Sequence, residues 1–212
     1  MAQVVYTVSI GPKDTLQPAL FRGRADYICF SDRPVTARGW QYRPLDAGQM
    51  SYRRASRLPK MQPDVYLPEY EISLYHDANF QLQVDPVIFC DAHLNGVNIA
   101  LYHHPERDCL YDEAVICEGF KLDTPERFHQ QVVWCEAAGM PRHWGLFQGS
   151  VIARRHMESE IVELGRGWRT EYAFGSCRDQ ISLAFAMWAT EVPYGVIPGK
   201  AYDCPEFTHR GH

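Results

Sequence analysis

Tyr70-Glu71-Ile72-Ser73-Leu74-Tyr75 is a strand-forming run rich in aromatic and aliphatic side chains, and it gives way abruptly to His76-Asp77-Ala78-Asn79. The first six residues predict a strand, and the next four place acidic and amide groups at its carboxyl end. In open α/β sheets, ligands bind outside the carboxyl ends of the strands, which makes Asp77-x-Asn79 the leading candidate site. A carboxylate and an amide oxygen two residues apart on a turn can both face a hard divalent cation. Such an ion would neutralise a diphosphate leaving group. Asp and Asn also shape turns by bonding to nearby backbone, and spacing alone favours that plainer account.

Working outward from this strand, Val4 to Ile10 is a near-continuous apolar run that stops at Gly11-Pro12, as expected of a central strand. Tyr27 to Phe30, closed by Ser31-Asp32, and Trp40 to Leu45 predict two neighbours. Between them and the deciding strand, Ser51 to Lys60 carries Arg53, Arg54, Arg57 and Lys60 at spacings of three and four, along one side of a helix. Downstream, Asp85-Pro86 opens a helix that ends near Asn95-Gly96, and Val97 to Tyr102 reads as a strand. Helices are predicted over 108–119 and 124–139, the second capped by Thr124, and over 158–164 and 181–189, with a strand at 151–153. From about 193 the chain reads as a loop-rich tail. Strands alternating with helices, with no repeat or low-complexity linker, predict a single α/β domain over 1–212 with a mainly parallel sheet and helices on both faces.

Composition excludes several classes. With 46% hydrophobic and 22% charged residues the chain matches ordinary globular proteins rather than disordered or fibrous ones. A net charge of -5 gives no long-range attraction for nucleic acid, which leaves nucleic acid as a partner only through a modified base acting as an acceptor. The opening residues lack a basic start followed by an apolar run, and no stretch approaches a membrane span, so a cytoplasmic protein is expected. The seven cysteines lack CxxC spacing and read as reduced, buried thiols. Nine histidines accompany them, but without the two-plus-two spacing of structural zinc.

Three further constellations could carry chemistry. Arg178-Asp179-Gln180 opens an apolar helix, where Asp179 is either a cap or a carboxylate serving an acceptor hydroxyl or a developing cationic carbon, with Gln180 as its partner. The basic row is either a solvated helix face or a set of phosphate contacts, arginine forking onto oxygens and lysine acting as a point charge. Of the adjacent His103 and His104 only one can face a site, and His104 is favoured for a substrate pocket. His209 either returns to the metal or belongs to a mobile terminus. A hydrolase assembled from the histidines, Asp77 and Asp112 is a second enzymatic reading, and a non-catalytic carbohydrate-binding or assembly module a third.

Taken in order, Tyr6-Thr7 with Gly11, Cys29-Phe30-Ser31-Asp32, Arg57 with Lys60, Tyr75 to Asn79, His104-Pro105-x-Arg107-x-Cys109 and Arg178-Asp179-Gln180 resemble the glycosyltransferase-like domain of plant TOD and mucilage-related proteins and their bacterial relatives, over roughly Val4 to Phe185. The resemblance implies a GT-A-like fold, transfer of a sugar from a nucleotide-diphosphate donor, a UDP-sugar first, to an acceptor hydroxyl, and a divalent metal, manganese or magnesium. It implies that Tyr6, Thr7 and Asp32 hold the nucleoside, Arg57 and Lys60 the diphosphate and Asp77 the metal. The Asp179-Gln180 pair falls where such enzymes keep an acidic residue beside sugar and acceptor. Two positions depart from the pattern: Asn79 stands for a second aspartate, and Gln148 for an acid.

Overall fold

The computed structural model describes residues 2–11 and 16–209. Pro12, part of the predicted stop of the first strand, lies outside them. In chain order the elements are β1 (Gln3–Ser9), β2 (Asp26–Ser31), β3 (Gln41–Pro44), α1 (Tyr52–Ala55), α2 (Arg57–Met61), α3 (Pro63–Tyr66), β4 (Ile72–His76) and β5 (Phe80–Leu82). They continue as α4 (Pro86–His93), β6 (Ile99–His103), α5 (Leu110–Gly119), α6 (Pro125–Ala137), β7 (Phe147–Arg154), α7 (Ser159–Phe174), α8 (Asp179–Thr190), β8 (Gly195–Val196) and β9 (Phe207–His209).

The main sheet has the order β3-β2-β1-β4-β7-β6-β8. All pairings in it are parallel except those of β7, which runs antiparallel to both β4 and β6. The carboxyl ends of β4 and β6 therefore meet the amino end of β7 at one edge, with His76 opposite Val151 and His103 opposite Phe147. The mainly parallel α/β sandwich agrees with the sequence reading.

Alternation along the strands sorts side chains onto two faces. On β1, Val4, Tyr6 and Val8 pack with Leu164, Trp168, Leu183 and Met187 from α7 and α8. Val5 points the other way, into a cluster with Phe89, Cys90 and Leu94 around α4 and with Ile197 and Phe207 from the tail. The tail is thus part of the core: β9 pairs with β5, and β8 closes the sheet beside β6. A third cluster joins α5, α6 and α8 through Leu110, Phe128, Ile181 and Phe185.

The structure alters several expected boundaries. The basic helix is two short ones, α1 and α2, joined at Ser56, and Ser51 caps the first by accepting from the Arg54 amide at 3.3 Å. Asp85 caps α4 as expected, accepting from the Val87 amide at 2.8 Å. Thr124 precedes α6 but makes no capping bond through its side chain. Helix α7 runs ten residues beyond Leu164, through Gly165 and Gly167. Gly165 is needed there because a Cβ would lie 2.6 Å from the Met61 carbonyl oxygen, a close approach of α7 to α2 that any larger residue prevents.

Candidate functional site

The polar edge of the sheet starts at Asp77. Its amide donates to the Ser150 carbonyl at 2.9 Å, prolonging the β4–β7 pairing by one residue, and its carbonyl accepts from the Phe80 amide at 3.0 Å, closing the turn. The Asp77 carboxylate is half-buried and accepts from the Tyr75 hydroxyl at 2.6 Å. The Asn79 side-chain nitrogen lies 3.0 Å from His209 Nε2. The His209 ring in turn packs between Phe80 and Tyr202, each at 4.9 Å centroid separation. His209, expected either to return to a metal or to belong to a mobile terminus, lies against the Asp-x-Asn turn through Asn79.

The donor set of Asp77, Asn79 and His209, a carboxylate oxygen, an amide oxygen and an imidazole nitrogen, is of the kind that holds a divalent ion of the manganese class. If the Asn79 amide donates to Nε2, it occupies that nitrogen's single lone pair, so the imidazole reaches an ion there only by exchanging this hydrogen bond for the metal. The residues therefore fit the implied ion. Among the described residues, the grouping of three His, Cys, Asp or Glu side chains with converging ligand atoms is Cys109, Asp112 and His143, which does not include Asp77. Asp112 thus groups with Cys109 and His143.

Beside this edge lies a buried ion-pair network. Asp179, in the first turn of α8, is 3% exposed, and its carboxylate is paired with the Lys60 ammonium and lies 3.3 Å from Arg57 Nε. The Lys60 ammonium sits 5.1 Å from the Tyr75 ring centroid and 5.8 Å from that of Trp168, whose indole donates to the Asp179 carbonyl at 2.9 Å. Burial alone would raise the Asp179 carboxyl, but the charges of Arg57, Lys60 and Arg178 outweigh it and hold the group well below the usual carboxylate range. The floor under this pair is Gly149 of β7, where a Cβ would come within 2.8 Å of the Lys60 nitrogen.

A second buried carboxylate is Glu113 on α5, which stands in the sequence within Tyr111-Asp112-Glu113, just downstream of the two histidines, but with no role of its own. It is 1% exposed and accepts from Arg107 Nε at 2.6 Å, Arg178 Nη2 at 3.2 Å and the Cys117 thiol at 3.1 Å. Burial works to raise its pKa, yet Cys117, Arg107 and Arg178 prevail and lower it. Arg178 also donates to the Gln180 side-chain oxygen, and Gln180 Nε2 donates to the Phe147 carbonyl at 3.3 Å. Glu113 therefore fixes Arg178, and through it Gln180, against the end of β7. An acidic residue at the fourth position of α5 looks like a first-turn acid favoured by the helix dipole, which is why spacing gave it no role. Glu113→Gln is expected to cost about 1–3 kcal/mol, because it leaves two part-exposed guanidinium groups without their charge partner. Urea unfolding of the variant measures this, and a loss near zero would remove Glu113 from the network's supports.

Four residues expected at the site have side chains enclosed by, or engaged with, the rest of the protein. Tyr6 and Thr7 are wholly enclosed: the Tyr6 hydroxyl donates to the Pro59 carbonyl at 3.3 Å and accepts from Arg154, so neither side chain faces a nucleoside. Lys60 is enclosed and neutralised by Asp179, which leaves Arg57, one quarter exposed, as the member of the pair that can meet a phosphate. His104 turns back on its own loop, its Nδ1 accepting from the amides of Glu106 and Arg107 at 3.3 and 3.1 Å, while the exposed His103 stacks on Phe147 at 5.4 Å. Asp32 is exposed beyond the end of β2 and accepts from the Gly11 amide at 3.2 Å. Gln148 is buried on β7, where its side-chain oxygen receives the Ala201 amide at 3.0 Å and anchors the tail.

A strand order in which one antiparallel strand interrupts a parallel sheet, with a polar strand-end turn and a basic helix facing it, defines a GT-A-like transferase fold. The chain aligns with the apo crystal structure of mouse xyloside xylosyltransferase 1 at a TM-score of 0.50 and 11% identity, covering 92% of this chain and 84% of that one. It aligns with the apo structure of the WbbM bifunctional glycosyltransferase at a TM-score of 0.54 and 13% identity, covering 93% of this chain but only 38% of that one. No curated protein matches the chain in sequence. The family model of the TOD1/MUCI70 glycosyltransferase-like domain matches residues 46–196, and the chain belongs to that family. The matched segment holds Arg57, Asp77 and Asp179 but starts after β1, β2 and β3. Among the described residues no helix is long and apolar enough to cross a membrane.

Proposed function

We propose that the chain is a glycosyltransferase that moves a sugar from a nucleotide-diphosphate donor to an acceptor hydroxyl, with a divalent metal on the diphosphate. The observation that carries this reading is the Asp77–Asn79 turn, with His209 against Asn79, at the strand-end edge of a glycosyltransferase-family fold. When bound, the metal supplies positive charge against the departing diphosphate. Asp77 provides the charged ligand, with Asn79 and His209 as neutral ones. Arg57 contributes the protein's own cation to the same phosphates, and Asp179 and Lys60 fix where it sits. Asp32, exposed beyond β2, is the side chain available to the nucleoside. A carboxylate held as far down as Asp179 is a poor base, so its part is to orient charge rather than to take the acceptor proton.

The test is calorimetric titration of the folded protein with a panel of nucleoside diphosphates, each with and without manganese. One nucleotide, UDP first, is expected to bind more tightly with the metal present. Binding of none in either condition sinks the proposal. Metal-dependent binding without turnover on any activated sugar points instead to a carbohydrate-binding module with a transferase fold.

A further inference from the structure

The spacing of cysteines and histidines shows no zinc motif, but the fold assembles donors from two distant segments. Cys109 stands at the N-cap position of α5, Asp112 lies in its first turn, and His143 comes from the connection between α6 and β7. Their ligand atoms all lie within 4.8 Å of one another. The Cys109 thiol is directed at this point although the residue is 1% exposed, and it makes no hydrogen bond to any described residue. A cysteine sulfur beside a carboxylate and an imidazole is a donor set that binds zinc. His143 Nδ1 is engaged by Asp108 Oδ1 at 2.8 Å, the carboxylate–imidazole pairing that orients metal-binding histidines and leaves Nε2 for the ion. His143 also holds a left-handed backbone, φ 57°, which the loop maintains partly through a bond from the Gly145 amide to the Asp108 carbonyl at 2.9 Å.

We propose that Cys109, Asp112 and His143 form a zinc site that shares no residue with the Asp77 turn. A thiolate, an imidazole and a carboxylate on a tetrahedral ion, with water in the fourth position, match the ligand preferences of Zn²⁺ and suit neither magnesium nor calcium. The ion ties the start of α5 to the loop that leads into β7, and so to Phe147 and Gly149 at the candidate active edge. The competing cation is Arg142, whose guanidinium lies 3.5 Å from Asp112 and 3.8 Å from Glu136 and over the Tyr111 ring at 4.9 Å. Removing it should tighten the site.

The experiment is titration of the reduced, chelator-stripped chain with Co²⁺ as a spectroscopic stand-in for zinc. A thiolate-to-cobalt charge-transfer band saturating at one equivalent, and bleached by added Zn²⁺, is expected. Cys109→Ser should abolish the band. Asp108→Ala should weaken binding by roughly 10–100-fold through the lost support of His143. Because Cys109 is buried, the exposed His143→Ala serves as an independent variant, and circular dichroism confirms that both remain folded. Asp77→Asn should leave the band unchanged, which separates failure here from failure of the proposed function. No band in the wild type, or one that survives both Cys109→Ser and His143→Ala, overturns the assignment.

Discussion

Asp179→Asn should remove about 3–5 kcal/mol of folding stability, the range seen when one partner of a buried ion pair is deleted. The side chains of Asp179 and Lys60 are 5% and 3% exposed, so the orphaned ammonium cannot reach water without moving between Tyr75 and Trp168. The same loss frees Arg57, which can hydrate because a quarter of it is exposed. Replacing both partners, as in Lys60→Met with Asp179→Leu, should recover much of the stability while transferase activity stays lost, since packing can substitute for the pair but not for the fixed position of Arg57. The pH dependence has a definite sign. In the unfolded chain Asp179 titrates near pH 4, and in the fold well below that, so its contribution is complete above about pH 4 and is lost as pH falls toward the folded value. Urea midpoints of wild type and Asp179→Asn should therefore differ widely at pH 7, and the difference should shrink steadily as the pH falls below about 4. A difference below about 1 kcal/mol at pH 7 would show the pair to be structurally idle.

That pair also shows what local sequence conveys and what it does not. The strand ends were legible because β2 and β4 change from apolar to polar within a residue or two, and the change marks both the edge of the core and the place where a ligand can approach. The direction of β7 was not, since alternation has the same period in parallel and antiparallel strands. Helix α7 was cut short at Leu164 because glycines at 165 and 167 lower helix propensity, whereas Gly165 is there to admit the Met61 carbonyl. Lys60 belongs to a basic row that reads as a solvated face. Its burial depends on Asp179, 119 residues away, as the role of His209 depends on Asn79, 130 residues away. Glu113 and the Cys109–His143 cluster were hidden for the same reason, their partners being supplied by chain topology. The family resemblance gave roles to Asp77 and Arg57, which lie at the strand-end edge, and to Tyr6, Thr7, Lys60 and His104, whose side chains this fold encloses or turns back on the protein, which local sequence does not convey.

Asp77→Asn should lower kcat/KM by about 10³ or more, on the order of 4 kcal/mol of transition-state stabilisation, while leaving folding stability within about 1 kcal/mol of wild type. The two effects separate because asparagine keeps an Oδ1 to accept the Tyr75 hydroxyl, at 2.6 Å in the wild type, and gives up only the charge. Alanine would confound them, since Tyr75 is 1% exposed and a buried hydroxyl left without its acceptor costs about 1–3 kcal/mol by itself. The charge matters more here than where two aspartates share the ion: with Asn79 and His209 both neutral, Asp77 is the one anionic ligand in the proposed set, and its loss leaves only dipoles to hold a divalent cation. Asn79→Ala and His209→Ala should accordingly weaken manganese-dependent donor binding less than Asp77→Asn does. Calorimetry with donor nucleotide and manganese, beside steady-state rates on the three variants, decides the ranking. If Asp77→Asn keeps full activity and that activity is indifferent to manganese, the diphosphate is neutralised by Arg57 instead, and Arg57→Lys, which cannot fork onto two phosphate oxygens, then becomes the substitution that abolishes transfer.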